Sequence, residues 1–245
     1  MFELSEQYYD AGLLPGIDDG AKNLEISLKL LEMDAASGVQ RIALTSHFNP
    51  ERQTLEEFVQ ARAQAFLTMY QAMKETDLAG KLEFKLASEV FFSPGLRELD
   101  MSPLCIGKTR FVLVEFPVTH RPFGLEETLY TLQERGFTPI IAHIERYSFV
   151  LENPAVLYEW VTSGFYIQIN ATTLLHGDKR LKKFLYQLIQ WNLVHIIASD
   201  AHSPNRRPPN LAEGMALIRA DLGDETADRL IQNSEKIFAG WELDL

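Results

Sequence analysis

Five separate apolar runs in this chain end in residues able to hold a metal ion, and few folds accommodate that repetition. Ile42-Ala43-Leu44 leads into Thr45-Ser46-His47, and Phe84-Lys85-Leu86-Ala87 into Ser88-Glu89. Phe111-Val112-Leu113-Val114 ends at Glu115, and Pro139-Ile140-Ile141-Ala142 at His143. The last, Val194-His195-Ile196-Ile197-Ala198, leads into Ser199-Asp200-Ala201-His202. Short β-branched runs between helical stretches read as buried parallel strands. In a barrel of such strands the C-terminal ends converge on one face. Imidazoles and carboxylates delivered there from several strands predict a polynuclear metal site of the kind that hydrolases use.

The intervening stretches read as helices. Asn23 can cap one that runs to Gly38, with Leu24, Leu28, Leu31 and Ala35 on one stripe. Thr54-Leu55-Glu56-Glu57 is a capping box, and Phe58, Phe66, Leu67, Tyr70 and Met73 continue that helix inward. Further helices are expected over 125–135, from Asn153-Pro154 to Gly164 with the proline at the first helical position, and over 181–191, 211–222 and 225–238. Residues 166–170 read as one more strand. Six good strands are visible, and a seventh at the very start is not clearly written. Alternation of this kind specifies an α/β fold of parallel strands with right-handed crossovers. Trp160, Trp191 and Trp241 fall on helical faces and read as core.

Bulk properties narrow the partners. At 245 residues, with no Gly/Ser tract or low-complexity block, the chain reads as one domain over 1–245. A formal net charge of −11 argues against nucleic acid or an anionic membrane as the main partner. The single cysteine, Cys105, excludes an intrachain disulfide and fits a reducing cytosol. No stretch is long and apolar enough for membrane insertion, and the N-terminus carries no secretory pattern. A cytoplasmic protein is expected.

At the strand ends, Asp200 and His202 lie two residues apart and can point at neighbouring metals, although an Asp there also suits a helix cap. Asp18-Asp19-Gly20 follows a Gly/Pro turn and fits either a hard cation or backbone bonding. Glu89 and Glu115 end apolar runs where an unpaired carboxylate is costly, so each needs a metal or an arginine. His47 and His143 complete the donor set. Arg146 lies three residues past His143, and Arg206-Arg207 lies just past His202. Guanidinium forks match phosphate oxygens, so arginines beside a metal cluster point to a phosphoryl substrate. Arg206 reads as an ordinary loop residue, and His195 as structural.

Taken together, Leu14-Pro15-Gly16-Ile17-Asp18-Asp19-Gly20-Ala21-Lys22, Thr45-Ser46-His47, Val114-Glu115-Phe116, Ile141-Ala142-His143-Ile144-Glu145-Arg146-Tyr147 and Ile197-Ala198-Ser199-Asp200-Ala201-His202 resemble a known family. It is the bacterial protein-tyrosine phosphatases of the polymerase-and-histidinol-phosphatase (PHP) type from capsule and exopolysaccharide clusters. The resemblance covers nearly the whole chain, in order. It implies a distorted seven-stranded (β/α) barrel and a trinuclear metal centre, commonly manganese or iron; for this chain two or three divalent ions are expected, manganese first, with iron, cobalt, zinc or magnesium compatible. The implied substrate is phosphotyrosine on a tyrosine kinase controlling polysaccharide export, or on another phosphotyrosyl protein. Position by position, Asp19, His47 and His202 resemble the ligands of one metal, and Glu89, Glu115 and His143 those of another, with Glu89 bridging. Asp200 resembles a ligand of the remaining metal, and Arg146 and Arg207 match the phosphate-contacting arginines.

One departure stands out. The family's first strand ends in Asp-x-His-x-His, whose histidines ligate the metal shared with Asp200. Here that stretch reads Tyr8-Tyr9-Asp10-Ala11-Gly12. Asp10 can substitute for the first histidine as a ligand, and Gly12 cannot substitute for the second. The first strand is therefore atypical, and the third metal is expected to be weakened or absent. Two alternatives to phosphotyrosine hydrolysis follow: a silenced relative that binds phosphoproteins, and a phosphatase of small phosphomonoesters.

Overall fold

The apolar runs become the strands of a parallel sheet. A computed structural model describes residues 10–243, with Asp10 and Ala11 as backbone only. In chain order the elements are β1 (Asp10–Ala11), α1 (Leu24–Ala36), β2 (Arg41–Phe48), α2 (Leu55–Met73), β3 (Glu83–Phe91), β4 (Phe111–Glu115), α3 (Leu125–Glu134) and β5 (Thr138–Ile141). They continue with α4 (Ser148–Glu152), α5 (Ala155–Thr162), β6 (Tyr166–Asn170), α6 (Ala171–His176), α7 (Lys179–Gln190), β7 (Ile196–Ala198), α8 (Leu211–Leu222) and α9 (Asp224–Ala239). The strands pair in sequence order and every pairing is parallel. β2 to β7 form a curled half-barrel, and β1 adds two residues at its edge. Among the described residues β7 does not pair back onto β1.

Strand alternation divides the core. Val112, Val114 and Ile141 join the large cluster beneath the helices. Their neighbours Phe111, Leu113, Ile140 and Ala142 join a second cluster with Ala43, Ala87 and Ile196. That division is what successive side chains pointing to opposite faces of a strand require. Ile237 and Phe238 of α9, with Leu243, also belong to the second cluster. Among the described residues no helix is long and apolar enough to cross a membrane.

Helix ends follow the capping signals. Thr54 and Glu57 exchange side-chain-to-backbone bonds as a capping box, and the Asn23 side chain accepts the Ile26 N–H at 3.0 Å. Other details are corrected. The deepest stripe of α1 is Ser27, Leu30, Leu31 and Asp34, one step round from the expected stripe, whose Leu24, Leu28 and Ala35 are only partly buried. Leu67 is turned outward, because it sits about 100° round the helix from its neighbour Phe66. Pro154 occupies the N-cap of α5 and not its first helical position, since α4 precedes it closely. Trp160 is core, but Trp191 and Trp241 are 63% and 67% exposed. Both lie just beyond a helix end, at the cap of α7 and past α9, where helical periodicity no longer aims a side chain inward.

Candidate metal centre

Parallel register brings the strand ends together. His47 pairs with Glu89 across β2 and β3, and Phe91 with Glu115 across β3 and β4. His47 occupies the middle of the group. Its Nε2 lies 3.3 Å from Asp19 Oδ1 and 3.4 Å from His202 Nε2. Its Nδ1 lies 3.4 Å from Glu115 Oε1 and 3.7 Å from Glu89 Oε1. Two trios therefore have donor atoms all within 4.8 Å of one another: Asp19, His47 and His202, and His47, Glu89 and Glu115. His143 Nε2 approaches the second trio, 2.8 Å from Glu89 Oε1 and 3.7 Å from Glu115 Oε2. A neutral imidazole offers one lone pair, so Nε2 of His47 suits the first trio and its Nδ1–H the Glu115 carboxylate. His143 then completes the second set, and its buried Nδ1 has no hydrogen-bond partner.

The protonation pattern fits cations. Burial alone would lower the His47 pKa, but the Glu115 hydrogen bond and the charges of Glu89, Glu115 and Asp18 outweigh it and raise it to about 10. A group that holds a proton this strongly marks where the surrounding carboxylates require positive charge. Burial pushes Glu89 well above the usual carboxylate range, and the charges of Glu115 and Asp200 add to that. Burial would raise Glu115 as well, but the hydrogen bond and charge of His47 hold it below that range. His143 and His202 are kept below the ordinary histidine value, chiefly by burial. Neutral imidazoles and carboxylates are the forms that ligate divalent ions.

Asp200 is placed differently. It belongs to neither trio. Its Oδ2 accepts from Arg146 Nη2 at 2.5 Å, from Asn170 Nδ2 at 2.7 Å and from Arg207 Nη2. Oδ1 lies 3.4 Å from His202 Nδ1. Burial would raise this carboxyl, but the Arg146 and Arg207 charges hold it below the usual range. Three of the sequence-expected residues thus form an ion-pair cluster beside the other six. The Asp10 side chain, expected as a substitute ligand, lies outside the described residues. A cavity of about 510 Å³ opens beside the centre, lined by Ile17, Asp19, His47, Arg52, Phe91 and Glu115 among others.

A protein-family model for capsular polysaccharide synthesis, CpsB/CapC, matches residues 10–239. The chain belongs to this family. The tyrosine-protein phosphatase YwqE of Bacillus subtilis (strain 168) is 32% identical over 231 residues, spanning 92% of this chain and 89% of that protein. The tyrosine-protein phosphatase CpsB of Streptococcus agalactiae is 32% identical over 232 residues, spanning 91% of this chain and 93% of that one. Among solved structures, one from the work on YwqE of B. subtilis and CpsB of Streptococcus pneumoniae, described as unique metal-dependent tyrosine phosphatases, superposes with a TM-score of 0.86. It is 28% identical and covers 98% of this chain and 96% of its own. The CpsB/CapC fold is thus shared over essentially the full described chain.

Both readings of Asp18-Asp19 apply, one to each residue: Asp18 accepts the His47 N–H at 3.0 Å and the Gly20 N–H at 2.9 Å, so the acidic pair splits into a candidate ligand and a loop anchor. Other contributors escaped the sequence reading. Gln168 accepts the His143 N–H at 2.5 Å and donates to Asn170 Oδ1 at 2.8 Å. Asn170 ends β6 as the candidate ligands end theirs, which was the available signal. His143 and Asp200 have φ of 34° and 51°, and only Asn192 among the other described non-glycine residues shares that region. Backbone held there costs on the order of 1–3 kcal/mol and concentrates at functional sites. His195 is structural: its Nδ1 accepts the Ile167 N–H at 2.9 Å.

Proposed function

We propose that this chain is a metal-dependent phosphatase of phosphotyrosyl proteins acting in capsular or exopolysaccharide synthesis. The observation that carries it is His47 set between two groups of donors, with two arginines beside them. Asp19, His47 and His202 would hold one divalent ion, and Glu89, Glu115 and His143 a second, with manganese the first choice. Bound ions would supply Lewis-acid activation of water and neutralise charge on the phosphoryl group. The chain's own residues do the rest. Arg146 and Arg207 bind the phosphoryl oxygens and stabilise charge as it develops. Asp200, itself held by the Asn170 amide, fixes the guanidinium groups in place. The Glu115 carboxylate orients His47 by accepting its Nδ1–H, and burial holds the Glu89 carboxyl well above the usual range. Phe91 and Ile17 in the adjoining cavity supply apolar surface for an aromatic ring, which favours phosphotyrosine over a small polar phosphomonoester.

A phosphorylated tyrosine kinase is the partner this reading favours, in the cytoplasm, with the half-barrel as the core of one PHP-type domain. The family's role in capsular polysaccharide synthesis and its tyrosine-phosphatase relatives support it. The test is phosphate release from a phosphotyrosyl peptide with manganese, then with chelator. Release that chelator abolishes is expected, as is loss of activity in His143→Ala; activity untouched by either sinks the proposal. A second reading, a silenced phosphoprotein-binding module, draws on one observation: no histidine precedes His47 in the sequence. Phosphopeptide binding without release under any divalent ion favours that reading.

A further inference from the structure

We propose that a cationic cavity at the end of the sheet opposite the metal centre binds a small molecule carrying a diphosphate group. The cavity holds about 1140 Å³, and its charged lining is Arg62, Lys85, Lys108, Arg110 and Glu242. Lys85 and Glu89 share β3, four residues apart, which separates the two places by about 13 Å along the strand. Lys108 and Arg110 lie just before β4, whose far end carries Glu115. Four cations against one carboxylate reverse the balance of a chain whose formal net charge is −11. The cavity beside the metal centre has the opposite lining, with Asp18, Asp19, Glu51 and Glu115 around Arg52.

Arg62 calls for a counter-charge. It projects from α2 and is 4% exposed. Its Nη1 donates to the Ala87 carbonyl at 2.9 Å and the Ser88 hydroxyl at 2.6 Å, and its Nη2 to the Pro103 carbonyl at 2.6 Å. The buried Nε has no hydrogen-bond partner. Every partner is neutral, including the Phe58 ring, whose centre lies 5.1 Å from the guanidinium carbon. Burial therefore lowers its pKa to about 10, with no carboxylate close enough to oppose the shift. A buried guanidinium without a counter-ion is costly, and an anion in the cavity that Arg62 lines offsets that cost.

The rim supplies the direct contacts. The Lys85 ammonium lies 4.5 Å from the centre of the Phe238 ring and donates to the Phe238 carbonyl, which fixes it and leaves further N–H groups to offer. Arg110 pairs with Glu242 through Nη2, so Nη1 and Nε remain for a ligand. Lys108 has no ion pair among the described residues. Gly107 brings this loop close: its φ is 57°, and a Cβ there would lie 3.0 Å from Lys85 Cδ. Its N–H donates to the Leu86 carbonyl at 2.7 Å, which fastens the loop to β3.

Charge and size select the ligand. A phosphoryl group carries about −1.5 to −2 at neutral pH, so four cations against one carboxylate call for two such groups. The volume exceeds what inorganic phosphate fills, and Phe84 and Leu86 add an apolar wall for the body of a diphosphate ester.

The experiment is calorimetric titration of inorganic pyrophosphate, adenosine diphosphate and inorganic phosphate into the full chain, stripped of metal by chelation and dialysed. A pyrophosphate site that survives Arg207→Ala and is weakened roughly tenfold by Lys108→Ala is the expected result. Adenosine diphosphate should behave alike, and inorganic phosphate should bind more weakly than either. Lys108 has no partner to lose, so its substitution leaves the fold intact. No pyrophosphate binding by the wild type, or binding that ignores Lys108→Ala, overturns the proposal. Binding wholly lost in Arg207→Ala also overturns it, because the anion then goes to the phosphoryl site beside the metal centre. Inorganic phosphate bound as tightly as pyrophosphate overturns the diphosphate class. None of these outcomes depends on whether the metal centre hydrolyses phosphotyrosine.

Discussion

Asp200 and Asp34 are buried almost equally, at 4% and 0% exposed, yet their carboxyls move in opposite directions. Asp34, on α1, has no hydrogen-bond partner for either oxygen, and burial pushes its pKa up to about 8. Asp200 feels burial too, but Arg146 and Arg207 hold it below the usual range. Burial therefore does not decide whether a carboxylate is charged; the partner does. Nothing in the structure explains the aspartate at position 34. At Asp200 the charge is maintained by Arg146 and Arg207, the pair proposed to bind the phosphoryl group.

The strongest way to break this contrast is to remove both guanidinium groups. Arg146→Ala with Arg207→Ala should bring Asp200 close to the condition of Asp34, buried and without a cationic partner, with the Asn170 amide as its remaining donor. Turnover of a phosphotyrosyl peptide should then fall by at least ~10²-fold, the scale of losing transition-state donors. Turnover within a few-fold of the wild type would show that the arginines do not bind the phosphoryl group.

A smaller effect sharpens the contrast from the other side. Folded Asp34 keeps its proton up to about pH 8, while the unfolded chain releases it near 3.8, so the unfolded state binds fewer protons across that window. Stability accordingly falls as pH rises between those values. Asp34→Asn, which cannot ionise, should gain stability relative to the wild type as pH rises, reaching roughly a few kcal/mol above about pH 8. Denaturant melts at the two ends of the window measure it. A pH-independent difference would mean that the carboxyl finds a partner after all.

The smallest expected effect is at Cys105, which is buried and donates to the Met101 carbonyl at 3.3 Å. Burial, with the Asp100 charge, pushes the thiol up to about 12. A thiol reagent should label it only on unfolding, with no change in activity before that. Rapid labelling of the native chain would contradict its burial.

Legibility followed locality. Strands were readable because apolar runs ended abruptly at polar donors, and α2 because Thr54 and Glu57 satisfy each other within one turn. The position of His47 between two donor groups was not readable, since it depends on register between β2 and its neighbours. Nor was the left-handed backbone of His143 and Asp200, because histidine and aspartate, though enriched in that region, adopt it in only a small share of their occurrences. The division of labour between Asp18 and Asp19 was hidden for the same reason: adjacent identical side chains were separated only by what the fold set opposite each. Trp191 and Trp241 misled because apolar bulk alone does not say on which side of a helix end a residue falls. Asp34 misled differently, since its charge hid the inward face of α1.

The sequence-ordered pairing of the sheet has a consequence for when the centre comes into being. Its donors sit at the ends of β2, β3 and β4 and beyond β5 and β7, with a helix or a long connection between each and the next. No short segment of the unfolded chain brings two of the expected partners together, apart from Asp200 and His202. Affinity for a divalent ion is therefore an emergent property of the assembled sheet and arises late, after the most distant segments of chain have met. An ion that binds there recognises the finished molecule alone, and its binding adds to the free energy of unfolding.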